Sequence, residues 1–181
     1  MAHFSLLTLW KLDAPIGRVW DALHDTESWP RWWRYVARVT PLAPGAANGE
    51  GGRWQLVWRT ALFYSLAFEA RVVRVQPPHL LDAETSGELQ GSGRWRLSEA
   101  GGITEARYHW DVSTTKPWMN ALAPLLAPAF RWNHERVMAA GAEGLARHIG
   151  ASLLQAVSVP LLDIAPPRES AAERDNGIHH R

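Results

Sequence analysis

Three side chains in this sequence could do chemistry on a small molecule: the amide of Asn133, the imidazole of His134 and the phenol of Tyr108. An imidazole can accept or donate a proton near neutral pH, a phenol can donate one, and an amide can orient a carbonyl or hydroxyl. Together they would suit proton transfer on a bound small molecule. Asn133 falls in the middle of the apolar stripe of a helical segment, and His134 falls at its margin. A buried amide without a partner costs ~1–3 kcal/mol, so Asn133 must meet a strand backbone group, a side chain such as the Trp110 N–H, or a ligand oxygen. Pairing within the protein is the expected outcome, because most buried polar groups are satisfied that way. His134 is expected to be packed or solvated.

Other chemistries find less support. The run HERVM at 134–138 opens like a zinc-binding HExxH helix, but Met138 stands where the second ligand belongs. His79, Asp82 and Glu84 could approach a cation, yet strand alternation implies no third partner, and His179–His180 lies in a polar tail. No metal and no cofactor are expected. There is no G-x-S-x-G turn, and Gly91-Ser92-Gly93 sits inside a strand with no helix after it, so it is no phosphate loop and more plausibly lets the sheet bend. The absence of cysteine excludes disulfides, thiolate nucleophiles and cysteine metal sites.

The elements that must position these residues follow from hydrophobic period. From His3 to Leu12 the apolar residues alternate, as in a half-buried strand. Asp13 is placed to cap a helix with Pro15 in its first turn, and Ile16, Val19, Trp20 and Leu23 form that helix's stripe. A short second helix is expected in SWPRWW, around Pro30. Further strands are expected at 35–42, 53–60, 64–75, 80–86, 88–98 and 103–114, separated by Gly- and Pro-rich turns and so antiparallel. Pro117, Pro124 and Pro128 predict a broken helix, with a short piece near 118–127 and a long one over 128–149. On the long piece Phe130, Asn133, Val137, Ala140, Gly141 and Gly144 share a face. Residues 1–150 make one domain. The remainder, 151–181, is read as a tail, partly apolar to about residue 164 and then disordered.

Eleven tryptophans populate this frame, and net charge is +1 from 19 basic and 18 acidic residues. Tryptophan buries a large apolar body yet retains one N–H, which suits the wall of a half-wet cavity. Trp54, Trp58, Phe68, Trp95, Tyr108 and Trp110 fall on inward strand faces. Arginines alternate with them and face outward. That alternation and the balanced charge argue against nucleic acid as a partner. Trp132 projects from the charged side of the long helix. Cover by another part of the chain is expected there, with a dimer or partner surface as the alternative. No apolar run approaches the ~20 residues of a membrane span, and the start lacks the marks of a signal peptide, so a cytoplasmic protein is expected.

The order of one strand, two helices, about six strands and a long helix resembles the helix-grip fold of the START-like (SRPBCC) superfamily. Four segments narrow the resemblance to the bacterial polyketide cyclase/dehydrase-like group: APIGRVWDAL at 14–23, WPRWWRYVARV at 29–39, VVRVQPPHLLDAETSGELQGSGRWRL at 72–97, and FRWNHERVMAAGAEGLARHIG at 130–150. The resemblance implies an α+β fold with a curved antiparallel sheet of about seven strands wrapped around the C-terminal helix. It also implies a hydrophobic cavity between them that holds a lipid, polyketide or other apolar small molecule. The expected wall is Trp54, Trp58, Phe68, Trp95, Tyr108 and Trp110 from the sheet, with Phe130, Asn133 and Val137 from the helix. No catalytic motif is shared within the group, so catalytic residues stay unassigned. Three readings follow. The chain is a carrier of a hydrophobic ligand, a cyclase or dehydratase using polar cavity residues, or an interaction protein with a filled cavity and possible homodimer contacts. A pocket well below ~300 Å³ would favour the last.

Overall fold

The computed structural model describes residues 2–160 apart from Phe63, and for residues 122–127 it describes the backbone alone. Eight strands form one sheet: β1 (His3–Asp13), β2 (Val36–Ala43), β3 (Arg53–Arg59), β4 (Ser65–Gln76), β5 (Leu80–Gly87), β6 (Leu89–Ala100), β7 (Ile103–Thr114) and β8 (Ser152–Pro160). Their order is β2-β3-β4-β5-β6-β7-β1-β8, and every neighbouring pair is antiparallel. Register shifts interrupt the β1–β8, β2–β3 and β4–β5 pairings. An extra residue at such points bends a strand and increases its twist, which helps a wide sheet curl. Two short helices, α1 (Ile16–His24) and α2 (Trp29–Trp32), follow β1, and the long helix α3 (Pro117–Ile149) crosses the concave face. This is the helix-grip arrangement.

Alternation explains which faces meet. In β1, Leu6, Thr8, Trp10 and Leu12 are buried while their neighbours are not. The outer face carries cross-strand ion pairs instead, with Arg53 on Glu69, Arg71 on Glu84 and Arg94 on Asp82. Asp82 and Glu84 are thereby occupied by arginines, and His79 Nδ1 lies against the Leu97 carbonyl. No group of three candidate metal ligands exists among the described residues.

Four local expectations differ from what forms. Asp13 does not cap α1. Pro15 occupies the cap position in extended geometry, and the Ile16 N–H donates to Glu99 Oε2 at 2.7 Å, so a β6 carboxylate does the capping. Pro124 and Pro128 do not break the terminal helix, which runs 33 residues without interruption. Its N-terminal half is held from outside: Met119 and Phe130 are buried, the Phe4 ring meets Phe130 edge-on at 5.7 Å, and Asn120 Oδ1 accepts the Ala2 N–H. Packing of this kind outweighs local propensity. Residues 152–160 form an eighth strand paired along β1. Finally, Trp132 is 46% exposed and carries Arg136 over its ring rather than lying under another segment.

The small residues of α3 are notches for α2. A methyl group on Gly141 would meet the Trp33 ring at 2.6 Å or less, and one on Gly144 would run into the Trp32 carbonyl. Trp33 Nε1–H donates to the Val137 carbonyl at 2.8 Å, which ties α2 to the helix backbone. Gly150 ends α3 in the left-handed conformation at φ 62°, where glycine carries no Cβ penalty. The Arg18 guanidinium donates to the Ile149 carbonyl there. About two turns before the first notch, Asn133 Oδ1 accepts the Ala61 N–H at 2.8 Å, which fastens the β3–β4 turn to the helix.

Two outcomes test this packing. Gly144→Ala should cost about 1–3 kcal/mol in chemical denaturation, because backbone must move to admit the methyl. Gly17→Ala, on α1 with open space around it, should instead stabilise by about 0.5–1 kcal/mol. Asn133→Ala should lose ~1–3 kcal/mol in the ligand-free protein by orphaning the Ala61 N–H, and Asn133→Asp should recover part of that loss by keeping an acceptor.

Candidate functional site

A cavity of about 160 Å³ lies between the sheet and the N-terminal half of α3. Alternate residues of β3, β4 and β5 form one wall, including Trp54, Leu56 and Trp58, then Leu66 and Phe68, then Leu81, Ala83 and Thr85. Trp95 from β6 with Tyr108 and Trp110 from β7 form the floor, and Phe130, Asn133, His134 and Val137 from α3 form the roof. All nine residues expected to form the wall therefore border a single space. The helix contributes its larger residues here, because its glycine notches are already filled by Trp32 and Trp33. The small-residue stripe at 140–144 thus seats α2 and does not open the cavity.

Aromatic contacts close into a circuit of seven rings, five of which border this space. Trp10 meets Trp33 at 5.4 Å, Trp33 meets Trp58 at 4.9 Å, and Trp58 meets Phe68 at 6.4 Å. Phe68 then meets Trp110 at 6.1 Å, Trp110 stacks on Tyr108 at 5.6 Å, Tyr108 stacks on Trp95 at 4.4 Å, and Trp95 returns to Trp10 at 4.9 Å. These separations are those of stabilising edge-on and offset pairs. Gly93 makes the β7 part of the ring possible. A Cβ there would stand 2.4 Å from the Tyr108 hydroxyl and 3.1 Å from the Trp110 ring, so both rings lie flat over bare backbone.

The polar inventory is small and uneven. Buried with no partner among the described residues are Trp54 Nε1, Trp58 Nε1 and Thr85 Oγ1, all on residues that border the cavity, and Trp10 Nε1, on a residue that does not border it. Asn133 spends its carbonyl oxygen on Ala61. Burial pushes the Tyr108 phenol far above its ordinary value, so it stays protonated. His134 is pushed down to about 4 by burial, so its ring is neutral at pH 7. Its Nε2 lies 3.3 Å from Thr8 Oγ1, which in turn lies 2.8 Å from Ser158 Oγ on β8. Tyr64, at the mouth, meets Trp118 edge-on at 5.4 Å, and burial raises its phenol to about 12.

Sequence reasoning missed Thr85, Leu66, Met119 and Met138 as wall residues, and it had no way to join His134 to Ser158. The alternation that placed Phe68 inward also places Leu66 inward, so that residue was within reach. Thr85 was hidden because a single polar residue facing inward looks like a turn signal beside Gly87. The Ser158 contact depends on β8, which was not read as a strand.

Residues 10–150 match the family described as polyketide cyclase / dehydrase and lipid transport. No curated protein matches the chain. Among solved structures, the aromatase/cyclase Zhui from Streptomyces sp. R1128 superposes with a TM-score of 0.68 at 15% identity, covering 82% of this chain and 94% of that one. A START superfamily protein from Mycobacterium smegmatis gives 0.64 at 15% identity, covering 80% and 99%. The di-domain ARO/CYC BexL from the BE-7585A biosynthetic pathway gives 0.64 at 20% identity and 83% coverage of this chain, which spans about half of BexL's length at 51%. At these identities the likeness speaks to the fold, and it agrees with the strand order and helix crossing described above. Among the described residues no helix is long and apolar enough to cross a membrane. With a family match that runs from Trp10 on β1 to the last turn of the gripping helix, the chain belongs to the polyketide cyclase/dehydrase and lipid transport family.

Proposed function

We propose that this protein binds one compact, uncharged and largely aromatic molecule in the sheet–helix cavity, and that the molecule carries hydrogen-bond acceptors. The observation that carries the reading is the set of orphaned donors. A buried N–H or O–H with no partner costs about 1–3 kcal/mol, and three of them belong to residues that border one small space. Unfavourable polar groups that cluster at a cavity are what a binding site looks like when its complement is missing. The nine wall residues, Asn133 included, are proposed as the ligand's surroundings.

Size narrows the ligand. A cavity of about 160 Å³ is close to the ~150 Å³ that admits benzene in an engineered apolar cavity, and below the ~300 Å³ typical of drug-sized sites. By volume alone the interaction reading with a filled core would gain. The exposed Trp132 and the place of β8 at the end of the sheet among the described residues support it too, with a second copy of the chain as one such partner. The orphaned donors favour a small ligand instead, since a core evolved to be solid gains nothing from them. A catalytic role is less well supported, because efficient general acid–base work near neutrality needs a group that titrates there. Tyr108 is held protonated and His134 neutral at pH 7.

Calorimetric titration with acetophenone and ethylbenzene, which differ by a carbonyl acceptor, tests the reading. Acetophenone should bind the wild type more tightly than ethylbenzene. Trp58→Phe keeps a ring but removes the N–H, and should weaken acetophenone by about 2- to 10-fold with little effect on ethylbenzene. Gln55→Ala, on the outer face of β3, should change neither. Thr85→Val should leave the empty protein as stable or more stable while weakening acetophenone. If neither probe binds the wild type, the cavity is not a ligand site.

A further inference from the structure

The donors on the sheet wall only ask for acceptors, and the roof supplies the opposite chemistry at one place. His134 borders the cavity, and its Nε2 is engaged by Thr8. No protein group among the described residues pairs with its Nδ1. Thr8 is 1% exposed, so its hydroxyl can look only to His134 and to Ser158. Ser158 in turn borders an outer groove between α3 and β8, floored by Ala139 and Ala156. A chain of three polar groups therefore runs from the cavity, across β1 and β8 on the face that α3 covers, to a groove between α3 and β8.

A directed set of hydrogen bonds satisfies every member of this chain. Of the two directions that these contacts allow, one has Nε2–H donating to Thr8 Oγ1, the Thr8 hydroxyl donating to Ser158 Oγ, and the Ser158 hydroxyl donating to water in the groove. In that direction Nδ1 carries a bare lone pair on a ring that borders the cavity. The tautomer of a histidine is set by the bond its other nitrogen makes, so Thr8 and Ser158 act on the cavity without touching it. Trp54 and Trp58 can only donate, and Asn133 has already spent its oxygen on Ala61. The imidazole is then the strongest acceptor a ligand meets.

We propose that His134 is a specificity-determining residue that accepts a hydrogen bond from a hydroxyl group on the ligand, with Thr8 and Ser158 as positioning residues that hold its Nδ1 unprotonated. The proposal rests on the cavity-binding reading above and adds the ligand class: a small phenol or aromatic alcohol that donates to the roof while its remaining acceptors face the indole N–H groups. The neutral ring matches a neutral hydroxyl and gives no anchor for a carboxylate.

Three one-ring probes separate this proposal from the reading beneath it. Toluene reports apolar fit, anisole adds an oxygen that accepts but cannot donate, and phenol accepts and donates. By calorimetry at pH 7, phenol should bind the wild type about tenfold more tightly than anisole, relative to their transfer from water. His134→Phe should abolish that preference and leave toluene within about twofold. Thr8→Val and Ser158→Ala, the latter a mild change on a half-exposed edge strand, should each reduce the phenol preference without altering toluene. A merely structural role for either hydroxyl would move all three probes together. If toluene fails to bind the wild type, the cavity reading falls and the hydroxyl subsite falls with it. If toluene binds but the phenol-to-anisole ratio is the same in wild type and His134→Phe, the assignment to His134 alone is overturned. Unchanged ratios in both hydroxyl variants overturn the part given to Thr8 and Ser158.

Discussion

The seat of Trp33 on α3 is the contact from which the rest of the architecture follows. Its indole lies where Gly141 has no side chain, donates to the Val137 carbonyl, and touches Trp10 and Trp58 on two different strands. A helix crossing a curved sheet is free to slide and rotate unless something fixes both. Here one side chain does so by joining helix backbone, β1 and β3 at a point. The Gly144 notch beside it receives the Trp32 carbonyl, so the fixed region is a full helical turn long. Everything N-terminal to it on α3 is then held at a set height above the sheet, and the cavity is the space left under that half.

The same placement explains why the cavity is lined as it is. Close approach at 141–144 consumes the small residues, and the sheet's width beyond it must be covered by large ones. Indole rings cover it with few rotamers, but each brings an N–H into a region with few acceptors. Trp29, Trp32 and Trp33 resolve this by donating to a backbone carbonyl or a serine. Trp54 and Trp58 do not, although they sit on an ordinary strand where an outward rotation would hydrate them. Trp10, fully buried away from the cavity, also keeps an unpartnered N–H among the described residues, and Trp29 borders the cavity with its N–H satisfied, so it is the pair on β3 that combines an open N–H with a place in the cavity wall.

Much of this was legible in the sequence because strands alternate. The period of two in 53–60 and 103–114 put Trp54, Trp58, Tyr108 and Trp110 inward without any knowledge of their neighbours, and the four segments of family resemblance supplied the helix that covers them. The elements that were not legible depend on distant partners. The run Ser152–Pro160 mixes apolar residues on both faces, so alternation is weak, and only the length of β1 beside it makes it a strand. Pro124 and Pro128 argued for a break that packing at Met119 and Phe130 overrides. Asp13 had the right chemistry for a cap, but Glu99 arrives from 83 residues away and takes the Ile16 N–H. The glycines at 141 and 144 were visible as a stripe, yet their meaning lay in Trp32 and Trp33, which nothing local connects to them.

The closed ring of Trp10, Trp33, Trp58, Phe68, Trp110, Tyr108 and Trp95 has an optical consequence. Chromophores whose centres lie 4.4–6.4 Å apart exchange excitation much faster than they emit. Light absorbed by any one indole therefore moves among the indoles before it is released, while Phe68 and Tyr108, whose excited states lie higher, only feed energy to them. A guest that perturbs a single member, from any side, dims or shifts the emission of all of them. For the ligand proposed above, the emission is an occupancy gauge whose reading is collective and says that the space is filled without saying which wall is touched.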